Sequence, residues 1–200
     1  MNEADLRVIK TKQNIHAAFL RLLKERGSRS ITVSSLSGEA QINRKTFYSH
    51  YETVDALYDE VCEDCLSLLD ASEILSPSGT GSTSIFIPDA IEVLRRIAAH
   101  KERFLLLMND SSGPPRFSGY LKQYFLRIAS QDFRLSQYAE EHQLPASLVM
   151  EIFSDIFLEI TLWWIAQDRV SAEKAAEVLV SLFSESLLSA LSLEIWHDKT

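Results

Sequence analysis

The sequence predicts an all-α fold, and three observations carry that expectation. Apolar residues recur at three- and four-residue spacing in nearly every long segment, no stretch alternates as a half-buried strand would, and breakers rich in Ser, Gly and Pro separate the periodic runs. Two hundred residues, 46% of them apolar, can bury a core without covalent staples in one or two domains.

Taken in order, the first helix is expected over about 5–26, with Ile15, Phe19, Leu22 and Leu23 inward, a basic outer face and Gly27 as its stop. Thr32 precedes Val33, Leu36 and Ala40, the pattern of a short capped helix. Gln41 and Ile42 form a tight connection, and Asn43 caps a second short helix from Arg44 to about His50. Short helix, tight turn, short helix is the outline of a helix-turn-helix. A longer helix is expected over about 53–71, with Val54, Leu57, Tyr58, Val61, Cys65 and Leu68 on one stripe, then a hinge loop over 76–88. Further helices are expected over about 88–109, 118–139, 145–168 and 172–195, giving about eight.

A net charge of -8 argues at first against nucleic acid, because phosphate is held by clustered Lys and Arg. The distribution reverses the inference. Residues 1–51 carry nine basic and four acidic side chains, net +5, whereas residues 52–200 carry eleven and twenty-four, net -13. A basic head on an acidic body can face DNA at one end only.

Within residues 32–58 the charges are also oddly placed. Arg44 and Lys45 sit in the first turn of a helix, where the macrodipole disfavours each cation by roughly 0.3–1 kcal/mol. A docked phosphate would reverse that sign, and both side chains are long enough to reach base edges in the major groove. Thr46, Tyr48 and His50 add donors over the next two turns, while Phe47 and Tyr51 are expected as inward anchors. Thr32, Ser34 and Asn43 complete the candidate DNA-binding set.

The order Thr32, Leu36, Ala40, Ile42, Thr46-Phe47-Tyr48, His50-Tyr51 and Leu57 resembles the N-terminal domain of the TetR family of regulators, over about residues 8–60. The resemblance implies an all-α homodimer whose second helix-turn-helix helix enters the major groove of each half of a palindromic operator. It also implies a small-molecule effector, unidentified here, in the C-terminal part. It makes Arg44 and Lys45 base or backbone readers, Thr46 a base or phosphate contact, and Tyr48 and His50 phosphate clamps. Gln41 stands where the family often has glycine, and Val54 where it often has lysine. The second departure removes one phosphate contact, which Lys10, Lys12 or Arg29 could replace. The later stretches AAHKERFLLLMN and ITLWWIAQD resemble a subgroup typical of Gram-positive bacteria.

The expected organisation is thus a head over 1–52 and a larger helical regulatory and dimerisation domain over 53–200. Phe104, Met108, Phe117, Tyr120, Tyr124 and Phe157 are candidate pocket residues, since such pockets are mostly apolar. Ile152, Ile156, Trp163, Val178, Leu182 and Leu187 are candidate dimer contacts, because the last two helices carry more apolar face than one small core needs.

Cys62 and Cys65 form a C-x-x-C pair within a helix, with no second ligand pair at zinc-site spacing, so small buried apolar side chains are expected. A redox- or metal-responsive regulator acting through them, and a helical adaptor without DNA, are the alternative readings. No metal, cofactor or catalytic activity is expected: Glu151, Asp155 and Glu159 lack the paired Glu-x-x-His pattern, and no phosphate loop or nucleophile motif is present. Without an apolar run of roughly 18 residues or a signal-peptide core, the chain is expected in the cytoplasm, away from membranes.

Overall fold

A computed structural model describes residues 3–69, 86–110, 116–131, 133–167 and 169–183. Among them all regular structure is helical: α1 (Glu3–Arg26), a 3-10 turn (Ser28–Ser30), α2 (Val33–Glu39), α3 (Arg44–Tyr48), α4 (Val54–Ser67), α5 (Phe86–Ala99), α6 (Lys101–Met108), α7 (Arg116–Gln131), α8 (Phe133–Glu141), α9 (Ala146–Ile165) and α10 (Ala172–Phe183). The expected all-α class is what the chain adopts. None of these helices is long and apolar enough to cross a membrane.

Packing divides the chain into two units. The first takes Met1–Ser67 with Glu102–Phe117, the second Leu68–Lys101 with Ser118–Thr200. In the first, α1 buries Ile15, Ala18, Phe19, Leu22 and Leu23, the stripe its periodicity specifies. Leu36 of α2, Phe47 of α3 and Leu57, Tyr58 and Val61 of α4 close the same core, and Phe19 meets Tyr58 edge-on at 5.4 Å between ring centres. Gly27 ends α1 at φ 73°, a left-handed conformation natural to glycine. Arg116 ties the later segment to α4. Its guanidinium pairs with Asp55 at 2.6 Å and Asp59 at 2.8 Å and lies over the Tyr58 ring at 5.0 Å.

In the second unit α5 packs on α10 and α9, and α8 on α9. Ala172, Ala175 and Ala176 present a small-residue face on α10, while Val93, Leu94 and Ile97 supply the bulk from α5. Phe125 of α7 and Phe157 of α9 meet at 4.3 Å between ring centres.

Several boundaries depart from expectation, α4 among them, which closes at Ser67 and not near residue 71. The helix expected over 88–109 is two, broken at His100, whose N–H donates to the Ile97 carbonyl at 3.2 Å. No breaker residue marks the spot. Ile97 belongs to the second unit, whereas Phe104 and Leu107 belong to the first. Helix α5 also begins at Phe86, within the expected loop, with Pro88 in its first turn where no N–H is missed. The helix expected over 118–139 is also two, α7 from Arg116 to Gln131 and α8 from Phe133 to Glu141. Finally, α3 closes at Tyr48, not at His50: Ser49 caps it, and the His50 N–H donates to the Phe47 carbonyl at 2.9 Å in a tightened last turn. Residues 76–85 of the hinge expected over 76–88, and the last helix beyond Phe183, lie outside the described residues.

Candidate DNA-binding surface

Helices α2 and α3 are short, so their ends decide whether they form at all. Thr32 starts α2 with a reciprocal cap: its Oγ1 accepts from the Ser35 N–H at 3.1 Å, and the Thr32 N–H donates to Ser35 Oγ at 3.0 Å. The other end closes by a Schellman motif. The Ile42 N–H donates to the Ser37 carbonyl at 2.9 Å and the Gln41 N–H to the Gly38 carbonyl at 3.2 Å. Gln41 takes the left-handed position at φ 55°, where glycine would be unstrained. Asn43 then caps α3, its Oδ1 accepting from the Thr46 N–H at 2.7 Å and from Thr46 Oγ1 at 3.0 Å.

This turn leaves α3 with Phe47 wholly buried and the polar side chains outward. Arg44 and Lys45 are exposed, Thr46 and His50 half-buried, and Tyr48 is 59% exposed. Arg44 Nη2 donates to Ser34 Oγ at 2.7 Å, so two candidate contacts hold each other across the turn. Thr32, Ser34 and Asn43 are exposed along the same edge, though Thr32 and Asn43 already serve as caps. Lys45 has no ion-pair partner among the described residues, leaving its charge available to an external anion.

Behind α3 lies a cluster that local sequence patterns miss. Tyr51 is buried, as an anchor should be, but its hydroxyl is not idle: it stands 2.9 Å from His16 Nε2 and donates to Glu60 Oε1 at 3.1 Å. Lys12 Nζ grips both Glu60 oxygens at 2.9 and 3.0 Å, and His16 Nδ1 lies 3.0 Å from Asp64 Oδ2. Burial alone would raise the Glu60 carboxyl, but hydrogen bonds from Lys12 and Tyr51, with the charges of Lys12 and His16, bring it below its usual range. Lys12 is therefore engaged with Glu60, while Lys10 stays exposed. Val54 opens α4 behind a Thr53 cap, with no cation in that turn to replace the family's lysine.

Over about nine-tenths of the chain the arrangement matches known proteins. The TetR transcriptional regulator of Streptococcus agalactiae 2603V superposes with a TM-score of 0.60 over 90% of this chain and 96% of its own, at 26% identity. A TetR-like transcriptional regulator of Rhodococcus sp. RHA1 superposes at 0.59 over 89% and 96%, at 16% identity. The chain has the TetR-family regulator fold. With it comes the architecture of DNA-binding transcription regulators. Among curated sequences, the uncharacterized HTH-type transcriptional regulator YxbF of Bacillus subtilis (strain 168) is 32% identical over 76 residues, 37% of this chain. That match spans about a fifth of YxbF, 20% of its length. No protein-family model matches the chain.

Within the TetR-family fold the remaining candidates fall in separate places. Phe104 and Phe117 are buried together in the first unit, ring centres 5.5 Å apart, with Met108 half-buried on the same helix as Phe104. Tyr124 and Phe157 are buried in the second unit and Tyr120 is half-buried there. On α9, Ile152 and Ile156 are half-buried and Trp163 is 50% exposed; with exposed Leu148 they occupy an arc of about 80° at 100° per residue. Val178 of α10 is half-buried, Leu182 lies in α10 without a described side chain, and Leu187 is outside the described residues. Cys62 and Cys65 are free and wholly buried, each thiol pushed up to about 12 chiefly by burial, so both are protonated at neutral pH.

Proposed function

We propose that the chain is a cytoplasmic transcriptional repressor that binds a palindromic operator as a homodimer and responds to a small molecule. Residues 1–52 read DNA, and residues 53–200 carry dimerisation and effector binding. The observation that carries the reading is α3: a doubly braced helix presenting Arg44, Lys45 and Tyr48 to solvent behind a capped tight turn. Arg44, Lys45 and Thr46 read bases or backbone; Tyr48 and His50, with Thr32, Ser34 and Asn43 at the edge, hold phosphates. The outward stripe of Leu148, Ile152, Ile156 and Trp163 supports dimerisation, since such an apolar face on a regulator of this fold suits a second copy. Tyr120, Tyr124 and Phe157, and separately Phe104, Met108 and Phe117, are the aromatic and apolar surroundings for an effector.

Selection of duplexes from a random pool by the purified chain tests the reading. The expected product is an inverted repeat with half-sites one helical turn or a multiple apart. An unchanged pool, or an asymmetric single site, would contradict operator binding by a two-fold dimer.

A further inference from the structure

The cluster behind α3 is the strongest feature that DNA contact itself does not use. It joins three elements: Lys12 and His16 from α1, Tyr51 from just past α3, and Glu60 and Asp64 from α4. Carboxylates only accept, a neutral imidazole has a single N–H, and a phenol has a single proton. Those rules make the geometry depend on one proton.

With neutral His16 protonated at Nδ1, the ring donates to Asp64 and its Nε2 accepts the Tyr51 hydroxyl, which then cannot donate to Glu60. Protonated instead at Nε2, the ring donates to Tyr51 and frees the hydroxyl for Glu60, but a bare Nδ1 faces the Asp64 carboxylate at 3.0 Å. Either way one short contact lacks its hydrogen. An imidazolium supplies both, giving an unbroken run from Asp64 through His16, Tyr51 and Glu60 to Lys12.

We propose that Tyr51 is a positioning residue for DNA binding, and that a proton taken from water by His16 completes this chain, fixes the end of the recognition helix and tightens the head on DNA. The inference rests on the DNA-binding reading above. The groups around His16 set where the proton arrives. Burial is the largest influence and holds the ring below its usual value of about 6.5, Asp64 and Glu60 pull it up, and Arg103 of α6 and Lys12 push it down. Phosphates of bound DNA favour the charged ring, so proton uptake accompanies binding and affinity rises as pH falls.

The test is the Kd of wild type, His16→Gln and Tyr51→Phe for a duplex selected by the wild type from a random pool, measured from about pH 8 to about pH 5. A hydrogen bond contributing about 0.5–1.5 kcal/mol implies that wild type tightens roughly 2- to 12-fold per head across this range. Both variants should lose that gain while retaining whatever His50 contributes, and His16→Gln should match wild type at the alkaline end. Helical content and melting at about pH 8 show whether Tyr51→Phe is folded; should it not be, His16→Gln alone carries the test. Parallel pH profiles for wild type and His16→Gln would overturn the proton-linked brace and leave DNA binding intact. Failure of the wild type to select any duplex would overturn both.

Discussion

Replacing Gln41 by glycine should stabilise the protein, although no contact is added. Gln41 sits at φ 55° after α2, and Gln143 sits at φ 54° after α8 with the same pair of closing bonds: Leu144 N–H to the Ala139 carbonyl at 2.8 Å and Gln143 N–H to the Glu140 carbonyl at 3.2 Å. An L-residue in this conformation costs roughly 1–2 kcal/mol. Glycine removes that cost but loses more freedom on folding, an offset of roughly 0.5–1 kcal/mol. The net gain is about 0.5–1 kcal/mol per site, which for a chain of this size raises Tm by about 1–4 °C. Because the two glutamines lie in different packing units, the double variant should show the sum of the single effects. Thermal melting followed by far-ultraviolet circular dichroism reads the effect. Unchanged or lowered Tm in both single variants would refute the reasoning, since it would mean that the left-handed turns carry no strain.

Other expectations follow from burial and exposure. Cys62 and Cys65 should resist a thiol-reactive disulfide reagent in the native protein and react together on unfolding; rapid modification of the folded chain would return them to candidacy as a switch. In the proposed homodimer, changing Ile156 to Asp on the outward face of α9 should shift the mass in solution from dimer to monomer with helical content kept, and an unaltered mass would count against α9 as a subunit contact. Phe47→Ala should lower stability by about 3–5 kcal/mol, because the ring is wholly enclosed beneath α3; a loss under 1 kcal/mol would show the head core to be far looser than described.

Features set by neighbouring residues were readable from sequence. Thr32 and Asn43 act as caps because their side chains reach only three residues ahead, and Gly27 stops α1 through its own φ. The inward set of α1 and the outward cations of α3 follow from a helical period acting on Phe19, Leu22, Arg44 and Lys45. What escaped was non-local. Glu60 lies 48 residues from Lys12, and Tyr51 lies 35 from His16, so nothing nearby in the chain announces that a core tyrosine also bridges two helices. The break at His100 is equally silent, because the residues around it suit a continuous helix. Gln41 falls between these cases: a glutamine in a glycine-favoured turn is visible in the sequence, and its strain only in the backbone.

Salt dependence of binding tests most directly whether α3 holds DNA through Arg44 and Lys45. Each phosphate neutralised contributes about -0.9 to the slope of log affinity against log salt concentration. For a selected duplex, Arg44→Ala with Lys45→Ala should weaken binding at least tenfold and make that slope shallower by up to about 2 per head, with helical content and dimer mass unchanged. Retention of wild-type affinity and slope in the double variant would contradict the assignment of α3 as the DNA-reading helix.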